Sequence, residues 1–309
     1  MTPQFHPSLV NDPFDDPAVY VDFLYERRAL LFDLGDIRAL SPRKILRITH
    51  IFISHTHIDH FIGFSQVLRL CLGREKSLHL FGPPGFIGQV EHSLAAFTWN
   101  LVESYTTDFT VIAVELHPDG TGNSAEFHCR SGFRREQEQT EQVAGGVILD
   151  EEAFRIRAAF LDHKTVSLAF ALEEKDHVNI MKNRLLELGL PTGPWLADLK
   201  RAIMRGEDDD KPFRVWWPGE AGTEESHFTL GELKATILNI VPGQRIAYVT
   251  DAANTPANAA KIVELAHGAD FLFIEAAFLD TEQAQASERH HLTARQAGLL
   301  ARQAGVARV

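Results

Sequence analysis

The chain has 309 residues, 45% of them hydrophobic, and its 30 Lys and Arg against 42 Asp and Glu give a formal net charge of −12. This composition is that of a globular protein rather than a disordered or fibrous one, and its acidity argues against a general nucleic-acid coat protein. No apolar run approaches the roughly 18 residues needed to cross a bilayer, and the N-terminal segment has no secretory-signal pattern. Because the two cysteines are far apart and match no disulfide framework, we expect a cytoplasmic protein with reduced thiols.

Short β-branched segments alternate with amphipathic helical patterns along most of the chain, which is typical of a layered α/β protein. The sequence predicts strands, in chain order, over 18–26, 29–35, 50–55, 77–82, 109–116, 154–163, 166–174, 245–251 and 271–278. It predicts helices over 61–72 and 86–100, from Pro256 onward and after His291, with turns and edge hairpins over 119–146. The alternation of strand and helix patterns is interrupted over 173–214, which we predict to be an arm inserted into a single domain spanning 1–309.

One short segment, Ser54-His55-Thr56-His57-Ile58-Asp59-His60, concentrates metal-binding residue types. Three imidazoles and one carboxylate follow directly on a buried strand and precede a helix. Imidazole nitrogen and carboxylate oxygen are the ligands that Zn²⁺ takes in proteins, and a tight loop can direct them at two neighbouring points. A set of structural histidines in a polar turn is the alternative, but four such groups would be costly to desolvate without a metal. We therefore predict a metal site here.

Further ligands are expected at the ends of other strands. His163 closes the strand 154–163 and Asp251 closes the strand 245–251, and functional residues of open α/β sheets lie at such carboxyl ends. Each has an ordinary alternative: His163 as a surface histidine, and Asp251 as a helix-capping or turn carboxylate. His290 and His291 precede a helix that Thr293 caps, and they too can be surface residues.

The pattern H-x-H-x-D-H after a hydrophobic strand resembles the metallo-β-lactamase superfamily, and further segments resemble its ribonuclease Z branch, the endonucleases that mature tRNA 3′ ends. These segments are Asp162-His163 followed by AFALEEKD, LGLPTGPWLADLK at 188–200, Thr250-Asp251, and the pair FIEAAF at 273–278 and HLTARQAG at 291–298. Their order agrees with the family over residues 29–304. The resemblance implies an α/β fold, the αββα four-layer sandwich of the metallo-β-lactamase type, with an exosite-like arm at 173–214.

The resemblance also implies two metal sites and the residues that hold them. One zinc would be held by His55, His57, His163 and Asp251, and the other by Asp59, His60 and the shared Asp251. His291 would be the general acid that protonates the departing 3′-oxygen, with Asp59 and Glu275 as further catalytic residues. The cofactor would be Zn²⁺, two ions per chain, although Mn²⁺ and Fe²⁺ accept the same ligands. The partners would be a tRNA precursor and a second copy of the chain, since the family dimerises with the arm of one subunit serving the site of the other.

The chain departs from the family pattern in several places. The family's G-T-G-x-A-x-P loop is missing, and its D-C-G-E-G-T-Q segment is reduced to Asp33-Leu34-Gly35. Ala169-Phe170-Ala171 replaces Gly-Tyr-Arg, and Asp251-Ala252 replaces Asp-Thr. In the family a further strand ends in H-F-S-x-R-Y, whose His completes the second zinc site. That strand would lie beyond Val309, so either residues 1–309 stop short of it or the second site is incomplete. In the second case we expect tighter binding by the site with four ligands.

Three functions remain open on the sequence alone. The first is a zinc-dependent endoribonuclease that removes 3′ trailers from tRNA precursors by attack of a metal-activated hydroxide. The second is a hydrolase of a small phosphodiester or ester on the same fold, favoured by an arm with nine acidic and eight basic residues that offers little net attraction to RNA. The third is a catalytically inactive relative that binds metal or RNA. Trp216 and Trp217, after the arm, are predicted to be packing residues rather than base-stacking ones.

Overall fold

The computed structural model describes residues 4–219 and 222–309, and the chain divides into two units. The first unit comprises Met1–Glu173 and Gln244–Val309, and the second comprises Glu174–Gly243. The second unit begins next to the start of the predicted arm, 173–214, and extends past its predicted end.

Two sheets form the first unit. The larger has eight strands in sequence order, Phe5–Leu9, Val19–Phe23, Ala29–Phe32, Ile48–Phe52, Lys76–Gly82, Phe109–Leu116, Thr121–His128 and Arg135–Gln142. Its four central strands, from Ala29–Phe32 to Phe109–Leu116, are parallel. The smaller sheet has five strands, in the spatial order Phe271–Ile274, Arg245–Val249, Val166–Glu174, Phe154–Asp162 and Val147–Asp150.

Successive side chains of a strand point to opposite faces of its sheet, and the central strands of the larger sheet carry buried apolar residues on both faces. Leu30 and Phe32 point into a cluster that also contains Phe170 and Tyr248 of the smaller sheet. The rings of Phe32 and Tyr248 stack with centroids 5.7 Å apart. The two sheets therefore pack face to face through this central cluster.

Helices cover the outer faces of both sheets. The helices of the first unit are Pro42–Ile45, Ile58–Phe61, Phe64–Cys71, Phe86–Ala95, Pro256–Leu265, Gln283–Glu288 and Ala294–Ala304. Phe64–Cys71 and Phe86–Ala95 bury their apolar sides against the larger sheet, and Pro256–Leu265 and Ala294–Ala304 bury theirs against the smaller one. The order helix, sheet, sheet, helix confirms the predicted αββα sandwich.

The second unit has its own small core. Its elements are the strands His177–Ile180, Pro212–Gly219, Gly222–Thr229 and Leu238–Val241 and the helices Lys182–Glu187, Trp195–Met204 and Leu230–Ile237. Trp195 is fully buried at its centre, and Trp216 and Trp217 pack partly buried against the same cluster. No helix in the described part of the chain combines the length and the apolar character required to cross a membrane.

Several boundaries differ from the sequence prediction. The strand Phe5–Leu9 was not predicted. The polar region 119–146, predicted as turns and edge hairpins, contains an antiparallel pair of eight-residue strands at the edge of the larger sheet. Every residue of Arg135–Gln142 is exposed, so this edge strand has no apolar alternation to reveal it. The strand predicted over 271–278 ends at Ile274, and the helix predicted over 86–100 ends at Ala95.

Candidate metal centre

The predicted metal-binding segment lies at the carboxyl end of a central parallel strand, Ile48–Phe52. His57 adopts extended backbone angles and is the N-terminal capping position of the short helix Ile58–Phe61. This turn from strand into helix brings His55, His57 and His60 to the same end of the sheet. His55 and His60 are buried, whereas His57 is exposed.

Four side chains form a first group of candidate metal ligands: His55, His57, His163 and Asp251. Nε2 of His55 lies 2.9 Å from Nδ1 of His57 and 3.6 Å from Oδ2 of Asp251, and Nε2 of His163 lies 3.4 Å from the same Oδ2. Two ligands that each bind one Zn²⁺ at about 2.0–2.1 Å can be at most about 4.2 Å apart, which these distances satisfy. Burial lowers the pKa of His55 to about 4, which keeps its imidazole in the neutral form that binds a metal.

Asp251 also belongs to a second group, with Asp59 and His60. Nε2 of His60 lies 3.4 Å from Oδ2 of Asp59 and 3.5 Å from Oδ2 of Asp251. Burial alone would raise the pKa of Asp251, but its contacts with His60 and His55 lower that pKa below the usual value. Asp251 is therefore an ionised carboxylate positioned between both groups.

The chemistry of the second group fits a cation. Nε2 of His60 is buried and has no hydrogen-bond partner among the described residues, although its other ring nitrogen is bonded. Burial lowers the pKa of His60, but the charge of Asp33 and the contacts with Asp251 and Asp59 outweigh it and raise that pKa to about 12. The surroundings thus stabilise a positive charge at this point, which a divalent metal ion would supply.

Asp33, which was not predicted as a site residue, lies directly behind a candidate ligand. Its carboxylate is fully buried and accepts hydrogen bonds from Nδ1 of His60 at 2.8 Å, from the backbone N–H of Ser54 at 2.7 Å and from the hydroxyl of Tyr248 at 2.7 Å. A carboxylate behind a ligating histidine fixes the orientation of the ring and raises its basicity. The signal in the sequence was its position, directly after the strand Ala29–Phe32, which is parallel to Ile48–Phe52.

Replacing Asp33 with asparagine is expected to weaken metal binding at the group of Asp59, His60 and Asp251 by roughly 10- to 100-fold. The carboxylate also accepts from the hydroxyl of Ser54 at 2.8 Å, and an amide cannot accept from all four donors with the same strength, so His60 loses its fixed tautomer. Metal content measured at limiting Zn²⁺ checks this, with Asp36→Asn as the matched control because Asp36 instead pairs with Arg38. Metal content equal to that of the wild type would contradict the role given to Asp33.

His291 and Glu275 form a hydrogen-bonded pair beside the two groups. Nδ1 of His291 donates to Oε2 of Glu275 at 2.8 Å, and the backbone N–H of Ala252 donates to Oε1 at 2.6 Å. The hydrogen bond to Glu275 raises the pKa of His291, and burial raises the pKa of Glu275, so the pair binds a proton more readily than either free group. Nδ1 of His291 also lies 3.8 Å from Oδ1 of Asp251.

All eight residues predicted for the site therefore come together at one end of the sandwich: His55, His57, Asp59, His60, His163, Asp251, Glu275 and His291. Their individual roles remain predictions. The neighbouring His290 contributes its backbone carbonyl, which accepts a hydrogen bond from Nδ1 of His163 at 2.8 Å. A cavity of about 1320 Å³ opens over these residues, and His57, Asp59, Glu275 and His291 are among those that line it.

Comparison with known proteins places the chain in a family, although no protein-family model matches it. A ribonuclease Z of Deinococcus radiodurans is 27% identical over 309 residues, which cover 96% of this chain and 86% of that protein. A ribonuclease Z of Limosilactobacillus fermentum is 30% identical over 297 residues, which cover 93% of this chain and 77% of that protein. The crystal structure of human tRNase Z, short form, covers 98% of this chain and 88% of its own with a TM-score of 0.50 and 16% identity, a likeness of fold. With 30% identity over most of both chains, the resemblance seen in the sequence is confirmed, and this chain belongs to the ribonuclease Z family.

Proposed function

We propose that this protein is a metal-dependent endoribonuclease that removes 3′ trailers from tRNA precursors. The observation that carries the proposal is the meeting of two metal-ligand groups and a histidine–carboxylate pair in one cavity. Membership of the ribonuclease Z family supports the same activity. A site with a general acid next to metal ligands is suited to hydrolysis of a phosphodiester, in which charge develops on both the phosphoryl and the leaving oxygens.

The cofactor of the proposed reaction is a pair of zinc ions. His55, His57, His163 and Asp251 would hold one ion, and Asp59, His60 and Asp251 would supply three protein ligands to the other. Zinc is favoured because the ligand atoms are imidazole nitrogens and carboxylate oxygens, although Mn²⁺ and Fe²⁺ accept these too. When bound, such ions polarise a phosphoryl oxygen and lower the pKa of water.

Two further residues of the site, His291 and Glu275, supply the proton that the leaving group needs. Since Nδ1 of His291 is held by Glu275, Nε2 is the ring atom left to donate a proton to the departing 3′-oxygen. The carboxylate of Glu275 stabilises the protonated imidazole and keeps the ring in one orientation. The second oxygen of Glu275 accepts a hydrogen bond from the N–H of Ala252, the residue that follows Asp251. This contact fixes the position of the His291–Glu275 pair relative to the candidate metal ligand Asp251.

The predicted arm is proposed to hold the RNA through its basic side chains. Most of those in the second unit pair with acidic neighbours at the surface: Arg184 with Glu187, Arg201 with Asp198, Lys211 with the half-buried Glu207, Arg214 with Glu225, and Lys234 with Asp209. Exposed ion pairs of this kind contribute little free energy, so phosphates can replace the carboxylates. Among the described residues, Lys182, Lys200 and Arg205 form no such pair and are free to contact RNA.

The protein is further proposed to be a cytoplasmic homodimer. Three exposed apolar side chains, Ile58, Ile62 and Phe97, line one groove in the first unit, and a contiguous apolar surface of this kind supports an interface. The mass in solution, measured by light scattering, tests the dimer.

The salt dependence of cleavage separates this function from hydrolysis of a small phosphodiester. Cleavage of a tRNA precursor is expected to fall steeply between about 50 and 200 mM salt, because RNA binding releases counterions. Hydrolysis of bis(p-nitrophenyl) phosphate should change little over that range. Turnover of the small diester without any cut in the RNA would contradict the proposed function and favour a small-ester hydrolase.

A further inference from the structure

A fully exposed aromatic ring stands at the rim of the cavity that holds the proposed reaction. Phe14 lies in the loop between the strands Phe5–Leu9 and Val19–Phe23, and its side chain is 100% exposed. It nevertheless lines the same cavity as His57, Asp59 and His291. A flat aromatic face at the mouth of a cavity is open to a ligand, and such a face can stack on a planar group.

The loop that carries Phe14 is fixed in place by hydrogen bonds. The backbone N–H of Val10 donates to the carbonyl of Ala18 at 3.0 Å, and that of Asp15 donates to the carbonyl of Asp12 at 3.0 Å. The side chain of Asn11 donates to the carbonyls of Asp16 and Asp36. The ring is therefore presented by an ordered turn.

The backbone of the following segment closes on the same loop. The N–H of Gly35 donates to the carbonyl of Pro17 at 3.1 Å, and a Cβ added at Gly35 would lie 2.6 Å from the carbonyl carbon of Asp16. Only glycine allows this close approach, so the loop is held against the residues that follow Asp33.

The charges near Phe14 determine which part of an RNA can contact its ring. Its neighbours Asp12, Asp15 and Asp16 are carboxylates, and Asp15 lines the cavity beside it. Carboxylates repel phosphates, whereas they accept hydrogen bonds from the exocyclic amino groups of bases. A base can therefore approach this rim with its face on the ring, while the sugar–phosphate backbone is kept away.

We propose that Phe14 binds and positions the substrate by stacking on a nucleobase next to the scissile phosphate, with Asp15 favouring a base that carries an amino group. This inference rests on the proposed endoribonuclease function and names a contact with its substrate. Stacking on an aromatic side chain tolerates every base, so the ring contributes affinity and register at the cut.

The test compares Phe14→Ala, Phe14→Trp and the wild type, with Tyr25→Ala as a control for loss of an exposed aromatic ring outside the cavity. KM and kcat are measured on a tRNA precursor, and Kd on an RNA spanning the cleavage site with a phosphorothioate at the scissile linkage. Each RNA is also prepared with an abasic nucleotide on either side of the cut. Phe14→Ala is expected to raise KM and Kd by roughly 5- to 100-fold, and Phe14→Trp to restore them. On the abasic RNA that matches the stacked position, Phe14→Ala and the wild type should become equal.

The outcomes separate the two proposals. If the wild type cleaves the precursor but Phe14→Ala behaves like it on every RNA, the stacking role is overturned and the endonuclease stands. If the wild type binds RNA in a Phe14-dependent way without cutting it, the endonuclease is overturned and the stacking role stands. If the wild type neither binds nor cuts RNA, both fail. A change in the mass of Phe14→Ala in solution, without an effect on RNA, would assign the ring to a protein interface and also overturn stacking.

Discussion

Replacing His291 with alanine is expected to lower kcat on a tRNA precursor by about 10²- to 10⁴-fold, the range typical for loss of a general acid. The imidazole lines the cavity and is held by Glu275 at 2.8 Å, so it is oriented to donate a proton there. His291 also lies with Asp251 and Glu275 in a third group of candidate metal ligands, so metal content separates the two roles: it should remain that of the wild type when His291 is the acid. Single-turnover cleavage and metal analysis on the same preparation check both parts.

The adjacent histidine provides the matched control. His290→Asn keeps the backbone carbonyl that accepts from His163, and asparagine tolerates the left-handed φ of 59° at this position. This variant should cleave like the wild type. Glu275→Gln should show an intermediate loss, because the amide still bonds to His291 but no longer stabilises its positive charge. Unchanged turnover in His291→Ala would exclude the general-acid role, whereas a fall in metal content would make His291 a ligand instead. Loss of turnover with metal retained would exclude a catalytically inactive protein.

The second large effect is expected at Asp251. Its Oδ2 lies 3.4 to 3.6 Å from nitrogens of His55, His60 and His163, so one carboxylate serves both metal groups. Asp251→Ala should therefore weaken both sites by more than the roughly 10- to 100-fold expected for an outer partner such as Asp33, and cleavage should be lost. Metal content after dialysis against limiting Zn²⁺ measures the change.

Asp162 is the control for this substitution. It also lies at a strand end next to the site, but it is exposed and its carboxylate accepts from the N–H of Lys164. Asp162→Asn should retain wild-type metal content and activity. If Asp251→Ala keeps both ions, the carboxylate does not join the two groups and the ligand assignment is wrong.

Much of the fold could be predicted because its strands have simple apolar patterns. Ala29–Phe32 is a continuous apolar run buried on both faces, and Ile48–Phe52 ends in the buried pair Ile51-Phe52, so both patterns indicate central strands. The strand Arg135–Gln142 falls within the region predicted as edge hairpins, but its bounds could not be predicted because all its residues are polar and exposed. Its pairing with Thr121–His128 gives it a strand conformation. An edge strand of this kind lacks the alternation of apolar and polar residues by which a strand is recognised in a sequence.

The site could be predicted to the extent that its residues are local in the sequence. His55, His57, Asp59 and His60 occupy one turn, so their spacing alone indicates a metal loop. His163 and Asp251 required the further inference that strand ends meet at one edge of a sheet. The hydrogen bonds of Asp33 to His60 and Tyr248 could not be predicted, because Tyr248 belongs to the opposite sheet and reaches Asp33 only after the two sheets have packed.

The central claim is that this chain cuts tRNA precursors at the 3′ end by metal-dependent hydrolysis, and one measurement tests it most directly. A precursor with a 3′ trailer is incubated with chelator-treated protein, with and without restored Zn²⁺, and both ends at the cut are mapped. We predict a single cut after the discriminator base only when metal is restored, with a 3′-hydroxyl on the tRNA and a 5′-phosphate on the trailer. No cut by the metal-loaded protein, or a 2′,3′-cyclic phosphate on the tRNA, would contradict it, since the cyclic end would mean attack by the ribose hydroxyl rather than by water.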